Sequence, residues 1–339
     1  MNSLNKVSFN TFLLVSILLF FISISTLFYQ DKIKNFKREV KELKLKHEEH
    51  IKGILQKEIT SAVDYINYKR ETAQVRLKDE IKENVNTGYN IANGIYNNMK
   101  HTHSKNAIIS IIKSSLRDIR FFDNRSYYFI YDMDDKSILH PIYPEVEGTY
   151  KHKKLLTRDG DNLLGILKNV VQKNSEGFIE YEFTHPKDNK NLYKKIGYVK
   201  KLPFYDIYIG SSEYIKDYEQ RIKKEIFQRL SKVRFGKDGY LFIDDYDGTI
   251  LMHPMKPNIV GKNLIDYKDV NGIYVIKNLI DAAKKKDGGF VYYNWHRPNS
   301  VSKQINKVSF AMGIQDLRWM IGGGLYIDDI EQSLKIKQD

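Results

Sequence analysis

The stretch Gly239–Pro254 (GYLFIDDYDGTILMHP) restates one that stands about 113 residues earlier, Tyr127–Pro141 (YYFIYDMDDKSILHP). At that offset Tyr127, Phe129, Ile130, Asp132, Asp134, His140, Pro141, Pro144 and Gly148 match Tyr240, Phe242, Ile243, Asp245, Asp247, His253, Pro254, Pro257 and Gly261. After a one-residue slip, Gly160, Gly177, Phe178, Tyr181, Pro186, Lys195, Gly210, Tyr214 and Asp217 match Gly272, Gly289, Phe290, Tyr293, Pro298, Lys307, Gly322, Tyr326 and Asp329. A unit of this length can hold its own core, so two copies of one module are expected rather than short repeats that must stack to be stable. Short aromatic and β-branched runs broken by Gly, Pro and Asp make each copy strand-rich. Asp247-Gly248 reads as a hairpin turn between alternating strands. The charged amphipathic segment Asp217–Val233 is the natural junction between the copies.

The repeats are preceded by a different texture. Val7–Tyr29 carries no charge and, at about 1.5 Å per residue, is long enough to cross a hydrocarbon core of roughly 30 Å. It exceeds the usual apolar run of a signal peptide and no small-x-small cleavage site follows it, so an uncleaved anchor is expected, with a cleaved signal as the alternative. Lys6 precedes the run whereas Lys32, Lys34, Lys37 and Arg38 follow it, a balance that by itself would place the bulk of the chain in the cytoplasm. From Asp31 to Lys100 there is no proline and little glycine, and apolar residues recur at helical spacing: Val40, Leu43, Ile51, Leu55, Ile59, Val63 and Ile66, then Leu77, Ile81, Val85, Ile95 and Met99. A long helix, continuous or interrupted, is expected there, and a second over Ser104–Ile119. The apolar stripe reads as packing on the chain's own sheets, with a dimer seam as the alternative.

Several chemistries are excluded or left without nominees. No cysteine is present, so disulfides and thiolate sites are ruled out. The net charge of +13 is spread along the chain rather than gathered in a patch, which argues against a nucleic-acid partner. The Asp-rich turns lack the remaining ligands and closing glutamate of a calcium loop. His47, His50, His101 and His103 lack metalloprotease spacing and read as solvated helix surface, so no metal site is expected. No nucleophile elbow, phosphate loop or dinucleotide fingerprint is found, and no carboxylate pair stands out as acid and base. Neither a cofactor nor a catalytic residue is nominated. Gly322–Gly324 reads as a strand bend or a close backbone approach.

The paired His-Pro dipeptides are more informative. Proline biases the residue before it toward extended backbone and so fixes the imidazole at a strand end. Beside such a histidine, guanidinium, ammonium and phenol groups could grip a small anion. Arg120, Arg125, Tyr127, Tyr128 and Lys195 are available in the first copy; Arg234, Tyr240, Tyr293 and Lys307 in the second. Any one of them alone is more often a satisfied core residue; the recurring set is what suggests function.

These residues carry a resemblance. RFGKDGYLFIDDYDGTILMHPMKPNIVGKNLIDYKDVNG, GGFVYYNW, KVSF and WMIGGGLYIDDI, with RFFDNRSYYFIYDMDDKSILHPIYPEVEG through EGFIEYEF to YIGSSEYIKD in the first copy, resemble the Cache domains of bacterial transmembrane receptors, in particular double Cache sensors with repeats of the single-Cache-2 type. The resemblance covers roughly Asp31 to Gln332. It implies an α+β, PAS-like fold, in which a long N-terminal helix packs along two tandem modules, each a central antiparallel sheet flanked by helices. It also implies an extracytoplasmic location, against the charge balance around the anchor, and ligand sensing rather than catalysis. Carried over by position, it favours Arg120, Tyr127, Tyr128, His140 and Lys195 in the membrane-distal pocket. Arg125 joins them because RSYY has the Arg-x-aromatic-aromatic spacing of amino-acid-binding Cache domains. The tyrosine those domains place five residues earlier is Arg120 here, and no carboxylate is evident to hold an α-ammonium, so a carboxylate ligand without an amine is preferred.

The expected organisation is an anchor at 1–30, a helical segment at 31–119, a membrane-distal module at 120–217, a membrane-proximal module at 218–332 and a tail at 333–339. The expected function is the ligand-sensing region of a bacterial inner-membrane signal-transduction receptor, single-pass in this chain and facing the periplasm or the cell exterior. The ligand-binding set is Arg120, Arg125, Tyr127, Tyr128, His140, Tyr181 and Lys195, with Arg120 forking the carboxylate and His140 and Lys195 adding charge-assisted donors. A weaker set in the second module is Tyr240, His253, Tyr293 and Lys307; with Asp238 at the position of Arg125 and Val233 at that of Arg120, that module could be ligand-free. Expected partners are a small organic acid or amino acid, the membrane, a second copy in a homodimer, and a kinase, cyclase or chemotaxis output, with no nucleic acid. The alternatives are an amino-acid-binding chemoreceptor sensor, a dimerisation or interaction module without ligand, and a periplasmic hydrolase.

Overall fold

A computed structural model describes residues 2–157, 160–185, 188–298 and 304–327. Pro186, Asp329 and the tail at 333–339 lie outside the described residues. The chain forms two compact units, one of Tyr65–Gln228 and one combining residues up to Asp64 with those from Arg229 onward. The α+β architecture expected from the sequence is the one observed.

Helix α1 (Asn2–Glu71) opens with the apolar run. Its window of mean hydropathy 2.4 makes it long and apolar enough to cross a membrane. Further along, Ile51, Leu55, Ile59 and Val63 are buried, the four-residue spacing that keeps one helical face on a sheet. The helix ends at Glu71 and α2 (Ala73–Met99) follows, burying Leu77, Ile81, Val85, Gly88 and Ala92. Helix α3 (Lys105–Leu116) starts where the Ser104 side chain accepts from the Ala107 amide, an N-cap.

In the Tyr65–Gln228 unit the elements are β1 (Phe129–Asp132), β2 (Ser137–Leu139), α4 (Leu163–Asn174), β3 (Glu176–His185), β4 (Asp188–Lys201), β5 (Ile207–Tyr214) and the greater part of α5 (Ile215–Leu230). The sheet order is β2-β1-β5-β4-β3, with every pairing antiparallel. The other unit contains β6 (Arg234–Phe235), β7 (Gly239–Asp245), β8 (Ile250–Met252), α6 (Val275–Ala283), β9 (Gly289–His296), β10 (Gln304–Ile314) and β11 (Trp319–Tyr326). Its order, β6-β7-β11-β10-β9 with β8 also on β7, repeats the first with one short strand added. Helix α2 packs on β4 and β5, whereas α4 packs on β3 and β4; in the second module α6 packs on β9, β10 and β11.

The repeated phrase is the hairpin β1–β2 in one module and β7–β8 in the other. Its turn is held the same way twice: Asp132 Oδ1 accepts from the amides of Asp134 and Lys136 at 3.0 and 2.8 Å, and Asp245 Oδ1 from those of Asp247 and Thr249 at 3.0 and 2.8 Å. Such Asx geometry accounts for the recurrence of those aspartates. The chain then passes through His-Pro and a single 3₁₀ turn at Pro144 or Pro257 to Gly148 or Gly261. Both glycines have positive φ, +76° and +83°, which returns the backbone to the hairpin through Gly148 N to Ser137 O and Gly261 N to Ile250 O.

The close backbone approach expected of Gly322–Gly324 is present. A methyl on Gly322 would lie 2.5 Å from the Phe242 ring, and one on Gly324 2.1 Å from Ser309 Oγ. In the first module Gly210 stands in the same relation to Phe129. Gly88 lets α2 approach its sheet, since a methyl there would fall 2.6 Å from Tyr128 Cε1 and 2.8 Å from Ile209 Cδ1. Gly88→Ala is therefore expected to destabilise the chain by about 1–3 kcal/mol through overpacking. Gly53→Ala, on an exposed helical position with open space, should stabilise it by about 0.5–1 kcal/mol. Denaturant unfolding of the detergent-solubilised chain measures both, and equal effects would show that the α2–sheet packing is looser than described.

Candidate functional site

Strand alternation sorts the aromatic residues of the first hairpin. Tyr127, Phe129 and Tyr131 line a cavity between the sheet and α4. Tyr128 faces the other way; its hydroxyl donates to Asn84 O on α2 at 2.7 Å and its ring meets Phe121 edge-on. His140, from the end of β2, and Lys195, from the middle of β4, close on the same cavity, with Tyr181, Phe183, His152 and Ser212. Its volume is about 30 Å³. Two larger hollows adjoin it: one of about 220 Å³ shares His152 and Phe183, and one of about 260 Å³ shares Tyr181 and Lys195.

Lys195 is the unusual member. It is 3% exposed and sits in register between Tyr181 on β3 and Tyr214 on β5. Its Nζ lies 4.2 Å from the Tyr214 ring centroid, 5.7 Å from Phe183 and 5.9 Å from Tyr127. Among the described residues it has no ion pair. Burial pushes its pKa down to about 8, with Glu213 and Asp217 opposing from a distance. It remains mostly charged at neutral pH, held by aromatic faces that replace only part of its hydration.

His140 is neutral. Burial, then the neighbouring His152 and Lys195, brings its pKa down to about 3. Its Nδ1 accepts from the Tyr143 amide at 3.2 Å, which leaves the proton on Nε2. The expected charge-assisted donor is thus a neutral donor of fixed tautomer. The His140 amide donates to Glu147, whose carboxylate also pairs with Lys113 and Arg117 of α3 at 2.8 and 2.7 Å. Burial alone would raise the Glu147 pKa, but those partners, led by Arg117, hold it below the usual value.

The structure thus brings Tyr127, His140, Tyr181 and Lys195 together and leaves three of the expected residues elsewhere. Tyr128 is core. Arg120 turns back on its own helix end, donating from Nη1 to Arg117 O and Ile119 O at 2.6 and 3.0 Å. Arg234 does the same to Ser231 O and Val233 O, both at 2.7 Å. The true counterpart of Arg120 is therefore Arg234, one residue on from Val233, and the pair are helix-end caps. Arg125 is committed to the buried Glu213 at 3.1 Å and to Asp123 at 3.2 Å.

All four residues expected in the second module, Tyr240, His253, Tyr293 and Lys307, line one cavity of about 10 Å³. Lys307 again sits between two tyrosines, Tyr293 and Tyr326, in register. Its Nζ is 4.0 Å from the Tyr240 centroid, and burial, then Lys256, pushes its pKa down to about 7. His253 Nδ1 accepts from the Lys256 amide at 3.0 Å, the tautomer seen at His140. One difference between the modules is a compensated exchange: Tyr181 bonds Ser212 across from Gly197, whereas Tyr293 bonds Ser309 across from Gly324.

Among the cavity residues that escaped the sequence are His152, Asp244 and Trp295. His152 shares a 2.6 Å hydrogen bond with Tyr131 but stands where the other copy has an aliphatic residue, so the repeat could not flag it. Asp244 was hidden in an Asp-rich turn, although the Asp245 side chain holds that turn without it. Trp295 faces the cavity where the first module has Phe183.

A Cache domain family model (dCache_2) matches residues 32–331. The chain belongs to the Cache domain family. Among similar proteins, the sensor histidine kinase MctS of Rhizobium johnstonii is 36% identical over 112 residues, 33% of this chain and 24% of that protein. The methyl-accepting chemotaxis protein McpP of Pseudomonas putida is 28% identical over 109 residues, 32% of this chain and 20% of that one. A methyl-accepting chemotaxis protein of Vibrio parahaemolyticus, of known structure, is 44% identical, covering 32% of this chain and 72% of that chain with a TM-score of 0.30. The matched segments thus span a quarter or less of the curated relatives. Cache modules of this kind are sensor domains.

The Arg125–Glu213 pair offers a test of the structural role given to that arginine. Arg125→Ala is expected to cost about 3 kcal/mol by leaving a buried carboxyl without its cation, and adding Glu213→Gln should recover much of it. A double-mutant cycle on thermal unfolding measures the coupling; additive effects would return Arg125 to the pool of free ligand-binding groups.

Proposed function

We propose that this chain is the extracytoplasmic ligand-sensing region of a bacterial signal-transduction receptor and that its first module binds a small carboxylate. The observation that carries the reading is Lys195, a buried ammonium with aromatic faces around it and no anion of the protein's own within pairing distance among the described residues. An external carboxylate would complete it, one oxygen on Lys195 Nζ and the other on His140 Nε2–H, with Tyr127 and Tyr181 as walls. The nearest acids are already engaged, Glu213 by Arg125 and Asp217 by His185, which favours an acid without an amine. The adjoining 220 and 260 Å³ hollows supply routes of access.

In this reading the chain is organised as an anchor at 1–30, a helical segment at 31–119 and modules at 120–217 and 218–332. It works as a homodimer, and a kinase, cyclase or chemotaxis output receives the signal, in keeping with the receptors among its relatives. Ligand would favour the closed form of the first module, and that differential affinity is what biases the output.

The test is calorimetric titration of the full chain in nanodiscs with acetate, propionate and pyruvate, alongside thermal unfolding. Ligand at about 100 times its dissociation constant should stabilise the fold by about 2.7 kcal/mol. Lys195→Met should fold, be at least as stable without ligand, and lose carboxylate binding about 100-fold. Because a bound anion favours the charged lysine, binding takes up a proton once Lys195 begins to deprotonate. Affinity should then fall about tenfold per pH unit above about 8. Unliganded stability carries the opposite sign: the folded pKa is depressed, so this lysine's contribution rises with pH from about 8 toward its ordinary 10.5. Undiminished binding by Lys195→Met would sink the reading.

A further inference from the structure

Asp244 is 0% exposed and lines the second module's cavity with Lys307 and His253. Neither carboxyl oxygen has a hydrogen-bond partner among the described residues. The neighbouring Asp245 satisfies the hairpin turn, so Asp244 is not needed there; strand alternation along β7 turns it inward with Tyr240 and Phe242. The first module has Tyr131 at this position, and that hydroxyl is satisfied by His152. A fully buried acid with no hydrogen-bond partner weakens the fold and calls for an explanation outside it.

We propose that the second module carries a ligand site of its own, selective for a small carboxylate with a hydroxyl or ammonium group on the adjacent carbon. Lys307 and His253 take the carboxylate and Asp244 takes the adjacent donor. The role of Lys307 rests on the reading of Lys195 above; the role of Asp244 does not, since nothing equivalent exists in the first cavity. Burial keeps the Asp244 pKa well above the usual carboxyl value, so in the empty site it is a neutral acid that can accept from a hydroxyl or give up its proton to pair with an ammonium. The cavity of about 10 Å³ admits only very small molecules and must widen to do so. The sheet forms one wall and Val275, Ile276 and Leu279 of α6 form much of the other; Ile259, partly buried on the β8–α6 connection, completes the lining and can move without breaking a strand pairing.

The experiment is calorimetric titration of the full chain in nanodiscs with three isosteric probes, propionate, L-lactate and L-alanine. It uses the wild type, Lys195→Met to silence the first site and Lys307→Met to silence the second. In Lys195→Met, L-lactate or L-alanine should still bind, at least tenfold more tightly than propionate. Asp244→Leu should abolish that preference while raising the melting temperature, because an unpaired buried acid has been removed; Asp244→Asn should weaken L-alanine more than L-lactate. Both probes share any proton uptake at Lys307, so the buffer dependence of the binding heat should show about one more proton released with L-alanine than with L-lactate, the proton that leaves Asp244. Silence of Lys195→Met toward all three probes while the wild type binds propionate would overturn this proposal and leave the first site standing. Binding of L-lactate or L-alanine to Lys195→Met, with no propionate bound by Lys307→Met, would support it while removing the carboxylate role of the first module. A preference unchanged by Asp244→Leu would overturn it as well.

Discussion

An ammonium ion inside a protein has lost its hydration, and something must stand in for the water. In each Cache module a lysine occupies the middle of a row across three adjacent strands, between Tyr181 and Tyr214 or between Tyr293 and Tyr326. The surroundings of that row follow from the charge. Rings stand around the ammonium itself, because a π face offers the cation a partner, while leucine, isoleucine and valine side chains line the rest of the cavity. The histidine at the strand end is neutral, first because it is buried and then because a positive charge there would be repelled by its neighbours; its proton is placed on Nε2 by the backbone amide of Tyr143 or Lys256. The glycines Gly197 and Gly324 clear the space beside the row that a tyrosine hydroxyl and its serine partner then fill.

What repeats in the sequence is mostly what the fold requires. Asp132 and Asp245 hold turns, Gly148 and Gly261 return the loop to the hairpin, and Gly210 and Gly322 let a phenylalanine lie flat across the central strand. A repeat therefore reports the scaffold reliably and the site only where the scaffold and the site coincide, as at the lysine and the histidine. Arg120 shows the limit. An arginine near a suspected anion pocket is a natural choice for a carboxylate fork, yet its geometry is decided locally by the free carbonyls of a helix end, and Arg234 obeys the same local demand. Arg125 was legible as a charge but not as a paired one, since Glu213 is 88 residues away and meets it only through strand order.

The helices, the hairpins and the two-module plan were legible because each rests on a periodicity or a turn chemistry carried by neighbouring residues. His152 and Asp244 were not, for opposite reasons. His152 sits in a loop that the other copy does not reproduce. Asp244 sits in a stretch so well explained by its turn that one aspartate more than the turn needs drew no notice. Both replace an aromatic or aliphatic counterpart at the cavity wall, so the differences between the copies, rather than their likeness, mark where the two cavities diverge in chemistry.

That divergence extends to how each His-Pro loop is held. In the first module Glu147 binds the His140 amide on one side and Lys113 and Arg117 of α3 on the other, so the loop that presents the imidazole is tied by charge to a helix. At the same place in the second module stands Val260, 44% exposed, which can make no such tie. A force on His140 must therefore be shared with α3, because displacing the loop alone would strip a half-buried carboxylate of its partners. His253 is held instead by ring packing, against Tyr240, Phe242 and Trp295. The first His-Pro loop is thus tied by charge to a helix and the second held by ring packing, a difference set by a single glutamate.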